Sequence, residues 1–403
     1  MIRILHIADV HLGVESYGRV DPATGLNTRL SDFTSCLDEA VSHAINEGVD
    51  IVVFAGDAYR SRDPSQTHQR EFAKRVKRLA DAQIPVFLLV GNHDVPMGIG
   101  RANSVDIFET LRVSNVHVGR LPDLHVIETK KGPVQIVAVP WLTKNRFLTA
   151  DECKGKTSDD LNRLMEEKLT TFIENAAREL DSEIPAVLVA HANVMGAVWG
   201  SERSVTLGQD FVLLKSAFIN KGFDYVALGH VHKHQVLGNN PPIIYSGSIN
   251  RIDFGEEKEE KGFVVVDIAK KGSVTYRFTP VNARRFVTIE VRADSDDPTE
   301  KIINVIERHR IEDAVVRLVL TATPEAEAKV RYPEVRKALR NAYYVAGIVR
   351  RVEEPQRHTF AGRLVEEMTP REALQVYLKN KEVPEDRQRV LLQYAEGLME
   401  GLA

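Results

Sequence analysis

Short apolar runs recur from the N-terminus to about residue 268, separated by glycine or polar segments. Residues 2–8, 50–55, 86–90, 133–139, 186–190, 225–228, 243–245 and 263–268 each read as a strand. Runs that are apolar throughout predict strands covered on both faces, as in parallel sheets flanked by helices. Between the first runs, Phe33, Leu37, Val41, Ala44 and Ile45 recur at helical spacing from about Ser31. Phe72, Val76 and Leu79 do the same in a helix from about Gln66. Lys270-Lys271-Gly272 reads as a hairpin turn.

After Ala283 the pattern changes. Val287, Ile289 and Val291 alternate as a strand, and Ile302, Ile303 and Ile306 mark a helix behind Asp297-Pro298. Val316, Leu318 and Leu320 alternate again, Val335 and Leu339 suggest a short helix, and residues 344–352 a further strand. Residues 284–352 are therefore expected to form a small β-α-β-α-β unit with no catalytic cluster. A polar, proline-containing linker follows at 353–368. The tail, 369–403, is expected to be helical. Thr369-Pro370-Arg371-Glu372 is a capping box with proline at the first helical position. Leu374, Tyr377 and Leu378 form one apolar face, and Val383-Pro384-Glu385-Asp386 starts a second helix. Leu391, Tyr394, Ala395, Leu398 and Leu402 make its apolar face. Two short helices after a linker bury too little to stand alone, so they must dock on this chain or on a partner.

Composition narrows the class without naming a chemistry. The 403 residues are 43% hydrophobic and 27% charged, ordinary for a soluble protein of two or three domains. No run is long enough to span a bilayer, and no signal peptide is evident. Cys36 and Cys153 form no CxxC and fit a reducing cytoplasm. A net charge of −4 means that any polyanion must meet a local patch or a metal.

The chemistry sits where the strands end. Asp9 and His11 follow the first run, Gly56-Asp57 the second, Gly91-Asn92-His93-Asp94 the third, His191 the fifth and Gly229-His230-Val231-His232 the sixth. In α/β sheets, ligand sites collect at the carboxyl edge. Asp9 and His11, two apart in extended chain, would point the same way, and Asp94 could orient the His93 imidazole. Any one of these residues alone reads as a polar turn or loop residue. Jointly they present imidazole, carboxylate and amide oxygen with no thiolate, a set suited to manganese, iron or magnesium rather than structural zinc.

These motifs, in order, resemble those of calcineurin-like metallophosphoesterases, and more closely SbcD-type nuclease subunits. Residues 5–13 resemble the SbcD opening. Tyr245-Ser246-Gly247-Ser248, Phe254-Gly255-Glu256 and Lys261-Gly262 resemble the stretch after the last histidine pair. The resemblance implies an α/β fold: a four-layer αββα sandwich at 1–283, a small α+β capping domain at 284–352 and a helical tail at 369–403. It implies two metal ions, Mn2+ with Mg2+ or Fe2+ as alternatives. Asp57 would bridge; Asp9, His11 and His232 would complete one metal; Asn92, His191 and His230 the other. His93 would act on the scissile phosphate or the leaving oxygen. SbcD-type proteins commonly carry His or Asp three residues after the bridging aspartate, where this chain has Arg60. Arginine is no acid or base near neutral pH but binds phosphate. Arg60, Arg62 and Tyr17 are the candidate substrate contacts, and Arg19, Lys144, Arg203 and Arg251 could also meet a DNA backbone. Residues 196–209, with Trp199, read as a loop able to cover substrate.

The expected function is DNA exonuclease and endonuclease activity in end processing and repair. The expected partner is an SbcC-type ATPase, gripped by Leu374, Tyr377, Leu378, Leu391, Tyr394 and Leu398. A cytoplasmic, nucleoid-associated homodimer is implied by the same resemblance, with helices at 66–80 and 103–111 as the candidate dimer contact. The competing readings are a phosphoesterase for small or cyclic substrates and a non-catalytic DNA scaffold; the complete ligand set and His93 speak against the scaffold.

Overall fold

The computed structural model describes residues 1–96, 98, 100–200, 211–353 and 369–400, with the side chains of 398–400 outside that description. Two compact units divide the chain. One comprises Met1–Thr288, Arg310–Arg317 and Asn341–Gly347; the other comprises Ile289–His309, Leu318–Arg340 and Ile348–Ala403.

The first unit is built on two six-stranded sheets. β1 (Ile2–Ile7), β2 (Ile51–Phe54), β3 (Val86–Leu89) and β4 (Val116–Gly119) run parallel in the first. β5 (Asp123–Thr129), β6 (Gly132–Val139), β7 (Ala186–His191), β10 (Tyr225–Gly229), β11 (Gln235–Asn239) and β12 (Pro242–Tyr245) form the second, ordered β11-β12-β10-β7-β6-β5. β8 (Asn193–Val194) and β9 (Val212–Leu213) make a separate two-stranded pair. β13 (Gly262–Lys270) and β14 (Ser273–Pro280) return to the first sheet, whose order is β14-β13-β1-β2-β3-β4.

The uninterrupted apolar runs have a simple cause. Alternate residues of each central strand face opposite cores. Leu5, Ile7, Val52, Phe54, Val86 and Leu88 pack under α1 (Thr28–Asn46) and α2 (Gln66–Asp81) with Phe33, Leu37, Phe72 and Val76. Ile4, Ala8, Ile51, Val53, Phe87 and Leu89 face the second sheet, meeting Val134, Ile136, Val187, Val189 and Ala227. The outer face of that second sheet packs on the helix Ser158–Glu179 through Met165, Leu169, Ile173 and Ala176. Helix, sheet, sheet and helix give the four-layer αββα sandwich. Asn27 caps α1 on the Arg29 N–H, so that helix starts ahead of the expected Ser31.

The sequence reading leaves 140–185 without a helix, and the structure corrects it with one of 22 residues. Its signals were present: a Thr157/Asp160 capping box and apolar positions four, four and three apart.

β15 (Arg285–Arg292), β16 (Ala314–Ala322) and β17 (Tyr344–Val352) form a three-stranded sheet. The second unit contains helices Pro298–Glu307 and Tyr332–Ala338 and the paired tail helices Pro370–Asn380 and Glu385–Glu400. No helix among the described residues is long and apolar enough to cross a membrane.

Candidate metal centre

The loops after β1, β2, β3, β7 and β10 meet at one edge of the sandwich, and the predicted residues come together there. The Asp9 N–H donates to the Gly56 carbonyl at 3.1 Å and the His11 N–H to that of Asp57 at 3.1 Å. The His230 N–H donates to both Asp9 carboxylate oxygens, at 3.0 and 3.1 Å. Asp9 and His11 are not in extended chain, as the two-residue spacing suggested. Their φ angles are 52° and 48°, and Asp57 (56°) and His230 (102°) are also left-handed. Left-handed backbone costs energy in non-glycine residues and persists where the surroundings demand it. Here it turns four side chains of the cluster inward. Two glycines allow the loops to approach. A Cβ on Gly91 would lie 2.1 Å from the Asp57 Oδ1, and one on Gly229 would lie 2.0 Å from the Ala55 carbonyl oxygen.

The donor set fits a cation. His191 Nδ1 donates to the Ala55 carbonyl at 2.8 Å, which leaves its Nε2 to face the cluster. That nitrogen lies 2.8 Å from Asn92 Oδ1 and 3.5 Å from Asp57 Oδ2. Asn92 Oδ1 in turn lies 3.0 Å from His230 Nδ1. On the other side, Asp57 Oδ2 is 3.7 Å from His11 Nε2, which lies 3.0 Å from His232 Nε2 and 4.0 Å from Asp9 Oδ1. Ring nitrogens and amide or carboxylate oxygens thus crowd together, an arrangement that a proton or a cation between them satisfies. His11 Nδ1 and His230 Nε2 are buried without a hydrogen-bond partner. Asp9, His11 and His232; His11, Asp57 and His93; and Asp9, Asp57 and His191 each offer ligand atoms within 4.8 Å of one another.

Protonation follows the same geometry. Burial pushes Asp9 up to about 6, while His11 and His230 are held well below the usual imidazole range by burial. Neutral imidazoles are the form that binds a metal. Burial would also raise Asp57, but His191, His93 and His11 outweigh it and hold its carboxylate well below the ordinary range. His191 is opposed by burial and raised by Asp57 and Asp9 to about 9.

The calcineurin-like phosphoesterase family matches residues 2–234, more than half of the 403-residue chain. The chain belongs to the calcineurin-like phosphoesterases. It is similar to the SbcD subunit of the nuclease SbcCD of Staphylococcus epidermidis, 28% identical over 307 residues that cover 75% of this chain and 76% of that protein. That relative bears out the resemblance to SbcD-type nuclease subunits. Among solved structures, the chain is similar to a dimetal phosphatase from Danio rerio, with 11% identity, a TM-score of 0.39 and coverage of 69% of this chain and 98% of that one. It is also similar to a protein of Thermus thermophilus, with 12% identity, a TM-score of 0.38 and the same 69% and 98% coverage.

In this metal-dependent phosphoesterase, His93 lies beside the cluster. Its backbone N–H donates to Asp57 Oδ1 at 2.8 Å, its Nδ1 donates to the Arg60 carbonyl at 2.8 Å, and its Nε2 accepts from the Arg60 guanidinium at 3.2 Å. Burial, the largest influence, lowers its pKa. Asp94 does not orient that imidazole. The turn folds its carboxylate back onto the N–H groups of Gly91 and Asp57, both at 3.0 Å, so it ties the second and third loops together. Burial raises Asp94 to about 7.

The other predicted residues are scattered. Arg62 is exposed. Tyr17 packs edge-on against Phe254, Phe286 and Tyr344. Lys144 bonds Ser158, and Arg251 is spent on the carbonyls of Glu259, Ala283 and Arg284. Arg203 and most of the 196–209 loop lie outside the described residues, although Trp199 sits 5.4 Å from the His230 ring. In the tail, Tyr377, Leu391 and Tyr394 are exposed, Leu374 is half-buried and Leu378 is buried; the Leu398 side chain is outside the description.

Sequence reasoning missed two neighbours of the cluster. Trp141 lies 4.9 Å from the His230 ring and just past the end of β6, where the strand-end rule itself would have found it. Glu256 Oε1 lies 2.8 Å from His232 Nδ1, across 24 residues of sequence that give no sign of the contact.

Proposed function

We propose that this phosphoesterase is the nuclease component of an SbcCD-type assembly, hydrolysing DNA phosphodiester bonds as a Mn2+-dependent exonuclease and endonuclease. The observation that carries it is the convergence of potential ligand atoms on both sides of Asp57 Oδ2, with His191 Nε2 at 3.5 Å and His11 Nε2 at 3.7 Å. Asp9, His11 and His232 would hold one ion and Asn92, His191 and His230 the other, with Asp57 shared. Mg2+ and Fe2+ are the alternative metals. Bound ions supply charge neutralisation at the phosphoryl oxygens and an activated water.

The remaining work falls to side chains. His93 contacts the scissile phosphate or gives a proton to the leaving oxygen, chemistry suited to an imidazole. Arg60, in contact with His93 Nε2, meets a phosphate oxygen when substrate is present. Arg62 and Tyr17 are further substrate contacts in this proposal. The name of the Staphylococcus relative supports an SbcC-type partner. The tail faces of Leu374, Tyr377, Leu378, Leu391, Tyr394 and Leu398 are proposed to grip it. The domain limits 1–283, 284–352, 353–368 and 369–403, a homodimer and a cytoplasmic, nucleoid-associated location belong to the same proposal.

The test is parallel assay of DNA and a small chromogenic phosphodiester with added Mn2+. Mn2+-dependent cleavage of DNA is expected. Turnover of the chromogenic diester with inert DNA would move the assignment to small phosphoesters.

A further inference from the structure

The segment after the last histidine pair has no role in the chemistry above, yet it buries two charges beneath the cluster. Glu256 is 0% exposed and Lys261 is 2% exposed. Glu256 Oε1 accepts from His232 Nδ1 at 2.8 Å. Its Oε2 accepts from the Ile252 N–H at 3.0 Å and lies 2.9 Å from Lys261 Nζ. Lys261 also donates to the His232 carbonyl at 3.1 Å, to Ser248 Oγ at 2.9 Å and to Glu259 at 2.7 Å. The Ser248 N–H donates to the same His232 carbonyl at 2.9 Å. Gly247 permits that wrap: at φ 79°, a Cβ there would sit 2.7 Å from the His232 oxygen. His232 is therefore held by its ring and by its carbonyl through one network.

The donor inventory decides the tautomer. An ionised carboxylate only accepts, so the proton between Glu256 and His232 belongs to Nδ1. Nε2 is left as a lone pair, 3.0 Å from His11 Nε2 and grouped with Asp9 and His11. Burying an ion pair seldom adds stability over a well-packed apolar pair, so packing alone does not account for Glu256 and Lys261.

We propose that Glu256, with Lys261 as its counter-charge, is a positioning residue that fixes His232 with Nε2 presented to a divalent cation. This rests on the metal reading above. Such outer partners of a ligating histidine set its orientation and tautomer.

The test uses the full chain and direct Mn2+ binding by calorimetry, alongside thermal melting. Wild type should bind two ions; no binding would overturn both the metal reading and this proposal. The double variant Glu256→Leu/Lys261→Met removes the acceptor and its counter-charge together, so that neither of these two buried charges is left without the other. One of the two binding events should weaken about 10–100-fold, with the other and the melting temperature close to wild type. Wild-type affinity at both sites in the folded double variant would overturn the positioning role alone. Should the variant fail to fold, nitrogen-15 NMR of the wild-type imidazoles decides, with His232 assigned by comparison with His232→Asn. The Nδ1–H form is expected in the protein stripped of metal, and the Nε2–H form would overturn the proposal.

Discussion

Two regions of the first unit gather charged side chains and shift their protonation, with opposite meaning. Between α1 and α2, Glu71 accepts from Lys74 at 2.8 Å, Arg75 at 2.8 Å and Arg70 at 3.0 Å. Asp38 accepts from Arg75 and Arg78. Carboxylate oxygens there meet donors. At the strand ends, Asp57 Oδ2 and Asn92 Oδ1 meet imidazole nitrogens instead. A search for displaced pKa values would find both regions, since structural ion pairs perturb titration as active sites do. Matching carboxylate oxygens to donors separates them: in one network every oxygen of Glu71 and Asp38 meets a cationic N–H, and in the other the oxygens and ring nitrogens crowd together around a place for a proton or a cation.

The sharpest way to break that contrast is Asp57→Ala. It should abolish hydrolysis and lower metal occupancy, because both halves of the site lose their shared carboxylate. Undiminished wild-type turnover in excess EDTA would remove the reason for treating the strand-end cluster as incomplete. His93→Ala comes next. Activity should fall by about 10²–10⁴-fold, the usual worth of a general acid, with metal occupancy intact. A metal missing from an anomalous-scattering map of that variant would make His93 a ligand.

Glu71→Gln should leave turnover per folded molecule unchanged and act only on stability. Burial opposes ionisation of Glu71, but hydrogen bonds from Lys74, Arg75 and Arg70 prevail and lower it from 4.5 to about 2. A lowered folded-state value stabilises above the ordinary one and loses that contribution as pH falls through the lowered one. The stability gap between wild type and Glu71→Gln should therefore be full above 4.5 and close toward 2. Denaturant melts across that window would measure it, and a gap independent of pH would contradict the ion-pair assignment. Smallest in its effect on catalysis, deletion from Thr369 onward should leave Mn2+-dependent hydrolysis nearly unchanged while sharply weakening capture of an SbcC-type ATPase. Leu391→Asp with Leu398→Asp should do the same. Capture at wild-type strength by both variants would put the partner's contact elsewhere.

Much of the fold is legible in the order of apolar and polar residues. Apolar runs located the central strands because both faces of each are covered, and the motif residues announced a metal chemistry because they stand at strand ends. Edge strands such as β5 escaped, since only Ile127 of its residues is buried and no run results. The helix Ser158–Glu179 escaped although its pattern was present.

The amino-acid sequence by itself determined which donor atoms this protein has and that its strands would deliver them to one edge. Tertiary structure alone decided how those atoms face one another. Left-handed turns at Asp9, His11, Asp57 and His230 aim the side chains. Asp94 ties loops rather than His93, and Glu256 reaches His232 from 24 residues away. Side-chain direction and tautomer depend on backbone dihedrals and on hydrogen-bond partners brought together by folding, and no local spacing encodes either.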